Sequence, residues 1–183
     1  MIQLRALTRA AGTYSPGISK YTMPLFFHYC ADPAEKTACL LRDAAEFQHV
    51  PIRIMCPEGT PLLTREDIVA CIDAFGEEYD FMSLRDEAAK CILFVDDAHT
   101  LKEEHAQQLM ILADHGMYVN CYGLRTDTDG RPYRASMFML THADDIIHVP
   151  VPCTKCEQAD ATMTHSDDSD GYLPMCRRCF FTA

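Results

Sequence analysis

Cys91–His99 reads Cys-Ile-Leu-Phe-Val-Asp-Asp-Ala-His. Five apolar residues run unbroken and stop at two adjacent carboxylates, with charged residues on either side (Arg85-Asp86-Glu87 before, Lys102-Glu103-Glu104 after). A strand that buries both faces has no polar alternation, so this run predicts a central strand of a parallel sheet. Ligands of such sheets gather at the carboxyl ends of the strands, where Asp96 and Asp97 emerge. Two readings stand at this point: a mount for a Mg²⁺-holding acid, as in nucleotide-binding proteins, or a core strand running into a polar turn.

The chain around this strand alternates strands and helices, which predicts an α/β fold with an open parallel sheet flanked by helices. Strands are expected at Pro24–Tyr29, Ile52–Met55, Cys91–Val95, Met117–Tyr122 and Ile146–Val151. Cys30–Thr37 is expected as a loop and Ala38–Phe47 as a helix with Leu40, Leu41, Ala44 and Ala45 inward. Thr64 would cap a helix whose apolar face is Ile68, Val69, Ile72 and Phe75. Thr100–His115 is expected as a helix with Leu109, Ile111 and Leu112 inward, closed by Gly116. Arg125–Arg134 reads as a polar loop, and Met137–Leu140 as core packing near a subunit contact. Residues 23–150 would form the α/β domain and residues 151–183 a small appendage. Met1–Thr22 carries Arg5, Arg9 and Lys20 and no acid, which fits a transit peptide, a flexible extension, or a true start at Met23.

No apolar run approaches the roughly 18 residues a membrane helix needs. A net charge of −11 argues against binding a nucleic-acid backbone through a broad basic surface. Of ten cysteines, four form two pairs, Cys153/Cys156 and Cys176/Cys179, in the pattern C-x₂-C-x₁₉-C-x₂-C. Two such knuckles supply four thiolates to one tetrahedral Zn²⁺, and four protein ligands leave no open position, so the metal would be structural. The other six lie scattered in apolar or helical contexts, as buried free thiols do. That usage suits a reducing, cytoplasmic compartment. Cys30-Ala-Asp-Pro-Ala-Glu-Lys36-Thr37 ends in Lys-Thr between a strand and a helix, the place of a phosphate-binding loop. There Lys36 would reach phosphates and Thr37 would ligate Mg²⁺.

From Met23 onward the chain resembles the zinc-bearing thymidine kinases of bacteria, animal cytosol and poxviruses. The resemblance rests on Lys36-Thr37, Val95-Asp96-Asp97, Cys121-Tyr-Gly-Leu-Arg-Thr-Asp127 and the four cysteines with Tyr172 before the second pair. It implies a P-loop domain, a zinc-ribbon or lasso domain over the nucleoside, and a homo-oligomer, usually a tetramer. The implied reaction moves the γ-phosphoryl group of ATP to the 5′-hydroxyl of thymidine. Lys36 would hold phosphates, Thr37 and Asp96 would serve Mg²⁺, Asp97 would be the catalytic base, and Leu124 and Tyr172 would line the nucleoside pocket.

The chain also departs from that pattern. Glu35 stands where the loop has glycine, and a carboxylate about 5 Å from a phosphate charge costs ~3 kcal/mol at an effective dielectric near 20. Asp97 replaces a longer glutamate, His99 a glutamine, Thr100 a phenylalanine, and Thr128 and Asp129 follow the Tyr-Gly-Leu segment in place of the family's residues. The segment between the cysteine pairs is short. The alternative to a kinase is therefore a catalytically inactive zinc scaffold acting through protein contacts.

Overall fold

The computed structural model describes residues 23–47, 49–60, 71–166 and 171–182. A six-stranded sheet forms the centre. Its strands are β1 (Leu25–Cys30), β2 (Ile52–Pro57), β3 (Cys71–Phe75), β4 (Ile92–Val95), β5 (Tyr118–Leu124) and β6 (Asp145–His148). They lie in the order β3-β2-β4-β5-β1-β6, and every pairing is parallel. Helices α1 (Pro33–Ala45), α2 (Glu103–Asp114) and α3 (Arg134–His142) complete the domain. A two-stranded antiparallel sheet, β7 (Met163–Ser166) with β8 (Tyr172–Met175), leads into the short α4 (Arg177–Phe180) and carries the cysteine pairs.

β4 lies between β2 and β5 with all four residues buried, as its unbroken apolar run requires. Leu93 and Val95 face one apolar cluster with Leu109 and Leu112, while Ile92 and Phe94 face another with Leu40, Leu41 and Ala44 of α1. The alternation of side chains along a strand thus serves two covered faces. After α2, Gly116 takes φ 95°, and Met117 N–H donates to the Leu112 carbonyl at 3.0 Å, so glycine supplies the left-handed stop.

Several boundaries differ from the sequence expectation. α1 starts at Pro33, not Ala38, because Asp32 caps it: the Asp32 carboxylate accepts from the Ala34 and Glu35 amides at 2.8 and 3.2 Å. Proline at the first helical position suits that start, since its missing N–H would be orphaned there. Ile72 and Phe75, expected on a helix, belong instead to β3, where Phe75 is buried and Ile72 exposed. The rest of that expected helix, and the 1–22 segment, lie outside the described residues. α2 begins at Glu103 after a separate 3-10 turn over Ala98–Thr100, and Ile111 faces solvent while Leu109 and Leu112 are fully buried. β6 ends at His148 because Pro150 and Pro152 cannot continue a ladder. α3 lies where the sequence indicates only core packing over Met137–Leu140: Met139 is buried on it, and Met137 is exposed.

Beneath α1 sits a polar group inside the core. The His28 ring of β1 stacks on Tyr122 of β5 with centroids 4.3 Å apart, and the Tyr122 hydroxyl donates to Asp43 of α1 at 2.6 Å. Burial holds the His28 pKa below its ordinary 6.5, against the opposing pull of Asp43. A histidine harder to protonate when folded contributes stability that is present above pH 6.5 and is lost as pH falls below it. Thermal melts between pH 7.5 and 5.5 should therefore show a fall in melting temperature that is shallower in His28→Gln. An equal slope in the variant would contradict this account of the buried ring.

Candidate functional site

At the carboxyl ends of β1, β4 and β5 the structure brings together Lys36, Thr37, Asp96 and Asp97. Lys36 and Thr37 lie in the first turn of α1, and the two acids directly follow β4. The Lys36 ammonium forms an ion pair with Asp96, with both residues 1% exposed. It also lies 2.9 Å from Asp97 Oδ1 and donates to Thr37 Oγ1 at 3.0 Å. Thr37 Oγ1 in turn donates to Asp96 Oδ2 at 2.8 Å, and the Asp97 amide donates to Asp96 Oδ1 at 2.9 Å. Each group proposed for phosphate or Mg²⁺ is thus already engaged with another of the same set. Asp97 adopts φ 47°, the left-handed region, which directs its backbone away from the β4 line.

Only Ala31 and Asp32 separate β1 from α1. A phosphate cradle needs several successive backbone N–H groups turned toward the anion. Here the Ala34 and Glu35 amides donate to the Asp32 carboxylate, and Lys36 N–H donates to the Asp32 carbonyl at 3.0 Å. The loop expected over Cys30–Thr37 is in this way replaced by a capped helix. Glu35 turns outward and pairs with Arg42 at 2.7 Å, so its charge weighs less against an anion than its place in a closed helical turn. Beside this turn an open cleft of about 800 Å³ is lined by Asp32, Glu35, Glu157, Val151 and Pro174. Its carboxylates carry the wrong sign for a triphosphate.

The Asp96 chemistry fits Mg²⁺ in kind, being a carboxylate beside a hydroxyl, and the Lys36 ammonium now occupies that role. Leu124 ends β5, buried, with its carbonyl accepting from Ser136 Oγ at 2.6 Å. Tyr172 lies on β8 and is exposed. Two further residues complete the surroundings. His99 is nearly buried 3.8 Å from Asp97, and Tyr133 stands edge-on to it with centroids 4.7 Å apart. Burial first, then Asp127, Tyr172 and Asp97, raise the Tyr133 pKa. Tyr133 falls in the stretch the sequence reads as a polar loop, and its aromatic ring among polar neighbours is the available signal.

Cys153, Cys156, Cys176 and Cys179 bring their sulfurs within 4.8 Å of one another, and Cys156 Sγ lies 3.9 Å from Cys176 Sγ. Thiolates at 2.3 Å around a tetrahedral Zn²⁺ stand roughly 3.8 Å apart, so the donor set fits that metal. Burial raises the Cys153 pKa, but N–H groups of Cys176, Cys156 and Lys155 outweigh it and bring the thiol down to about 6, ready to bind as thiolate.

A family model described as thymidine kinase matches residues 64–180. That span contains Asp96, Asp97 and all four cysteines and begins downstream of Lys36. The thymidine kinase of Chromobacterium violaceum is 30% identical over 181 residues, covering 85% of this chain and 97% of its own. That of Xanthomonas campestris pv. campestris strain 8004 is 32% identical over 163 residues, covering 81% and 77%. The thymidine kinase of Agrobacterium fabrum is 29% identical over 160 residues, covering 80% and 82%.

Removing the Lys36 charge should destabilise the protein strongly, since Asp96 would be left buried and uncompensated, at about 3–5 kcal/mol. Lys36→Met should lower the melting temperature by roughly 10 °C, and adding Asp96→Leu should recover most of it. A melting temperature unchanged in Lys36→Met would mean that the ammonium reaches into an open, hydrated site.

Proposed function

Because the chain belongs to the thymidine kinase family, we propose that it is a thymidine-kinase-like protein whose nucleotide site is held shut, leaving phosphoryl transfer from ATP to thymidine at a residual level. The observation that carries this reading is the start of α1 at Pro33, with Asp32 occupying the amides a phosphate would need. To admit Mg²⁺-ATP, Lys36 would leave Asp96 and Asp97, and the first turn of α1 would unwind. Breaking a buried pair costs about 3–5 kcal/mol and losing an N-cap about 1 kcal/mol. Mg²⁺ and phosphates would restore part of that, since each can replace the partner the other loses.

Within this reading Lys36 would hold phosphates and Thr37 and Asp96 would serve Mg²⁺, the ion supplying charge neutralisation of the phosphates when bound. Asp97 would accept the proton of the 5′-hydroxyl, and Leu124 and Tyr172 would border the nucleoside. Asp97 is one methylene shorter than the glutamate it replaces, and a displacement of about 1 Å costs on the order of a hundredfold in rate. The zinc site and sheet would then serve chiefly as a scaffold in the cytoplasm, in a homo-oligomer. Among the described residues no helix is long and apolar enough to cross a membrane. Among the described residues, exposed Ile72 on edge strand β3, Ile146 on edge strand β6, and Met137 on α3, along with Val50, Ile111 and Phe181, offer apolar surface for subunit contacts.

A kinase of ordinary rate is the second reading. It is favoured by the survival of an ammonium, a hydroxyl and two carboxylates in mutual contact at the strand ends. Turnover of radiolabelled thymidine with ATP and Mg²⁺ separates the two. The closed-site reading expects a rate at least a hundredfold below the roughly 1–100 s⁻¹ usual for kinases. A rate inside that range, abolished by Lys36→Ala, would establish the second reading instead.

A further inference from the structure

The zinc-bearing module does not stand apart from the closed turn. Thr164 of β7 donates from Oγ1 to the Ala31 carbonyl at 2.9 Å, a contact spanning 133 residues of sequence, with both residues almost fully buried. Ala31 is the first residue after β1, one of the two that form the turn. Cys30 and Ala31 pack with Val149, Val151 and Ala161 in a small buried apolar cluster. The Ala161 carbonyl also lies 3.2 Å from His148 Nε2, and His148 stacks on Tyr29 of β1 with centroids 4.9 Å apart. From Ala161 the chain runs directly to the cysteine site: Ala161 N–H donates to Val151, Thr162 N–H to Met175, and Cys153 N–H to Ala159.

The module also touches the opposite wall. A Cβ at Gly130, in the loop that carries Tyr133, would lie 3.0 Å from the Phe180 ring and 3.3 Å from Met163 Cε. Phe180 is in α4 beside Cys179, and Met163 opens β7. One small module therefore bears on the β1–α1 turn and on the loop after β5 at the same time.

We infer that the zinc module is a strap that holds the β1–α1 turn shut through Thr164, so that occupancy of the four-cysteine site controls access to the Lys36–Asp96 cluster for a nucleotide polyphosphate. The inference rests on the closed-site reading above. The two strands of the module are short, four residues each, and a hairpin of that size is not stable unaided. Its rigidity comes from the metal that joins Cys153/Cys156, before β7, to Cys176/Cys179, after β8. With zinc bound, Thr164 is presented at a fixed place. Without it, the Ala31 carbonyl loses its donor and the turn loses its outer wall.

Thr164→Val tests this, because it removes the hydroxyl while keeping the shape and leaves the Ala31 carbonyl buried without a donor. Amide hydrogen exchange is the readout, with metal analysis on the same sample. In Thr164→Val carrying one zinc per chain, the amides of Ala34–Thr37 should exchange on the order of ten-fold faster than in wild type, those of β4 being unchanged. Thr164→Ser should keep the wild-type rate, and zinc withdrawal from wild type should speed the same amides. Unchanged exchange at Ala34–Thr37 in zinc-loaded Thr164→Val would overturn the strap. Wild-type turnover of thymidine at an ordinary kinase rate would instead overturn the closed site on which the inference rests, whatever the variants do.

Discussion

The ion pair between Lys36 and Asp96 joins the first helix to the central strand at the point where a phosphoryl-transfer site would need to be open. Its two charges are withdrawn from water and satisfied by one another, by Thr37 and by Asp97. Such a pair adds little net stability over apolar packing, yet breaking it from one side alone is expensive. On the closed-site reading the pair would act as a latch, since unwinding the first turn of α1 and giving Asp96 to a metal ion would disturb the same few atoms. Asp32 caps the helix so that it starts at Pro33, five residues before the Ala38 expected from the phosphate-loop pattern.

The second constraint is the four-cysteine site. In a module of two four-residue strands the apolar contacts are few: Cys153, Cys176, Cys179 and Met175 form one buried cluster, with Cys156, Leu173 and Phe180 partly buried against it. Metal binding would supply what that core lacks. The module in turn leans on Ala31 and on the loop around Gly130, so the element furthest along the chain bears on the first turn after β1. Family membership explains why these parts occur together. The capped turn is built from this chain's own residues, Asp32, Pro33 and Glu35.

Much of this was legible in sequence where one local pattern sufficed. The Cys91–Val95 run indicates the central strand and the two acids at its end, and the cysteine spacing indicates the four thiols that the fold brings together. What misled was competition between signals. Lys36-Thr37 suggested a loop up to residue 37, while Asp32-Pro33 is itself a helix start, and the cap prevailed because it satisfies two amides at once. Ile72 and Phe75 fit a helical period, but the five-residue run Cys71–Phe75 pairs with β2 along its whole length, and tertiary pairing overrode the period. Ile111, expected inward, faces solvent, because the buried stripe of the helix runs through His105, Ala106, Leu109, Leu112 and Ala113. Thr164 carries no sequence signature, since its contact joins residues distant in the chain.

Titration of the zinc-loaded protein with Mg²⁺-ATP, followed by calorimetry, bears most directly on whether the site is shut. The closed-site reading predicts a dissociation constant weaker than about 1 mM, because on it binding would first have to release Lys36 and the first turn of α1. Micromolar binding that is lost in Lys36→Ala would contradict it, and would mean that the latch opens to nucleotide at little cost.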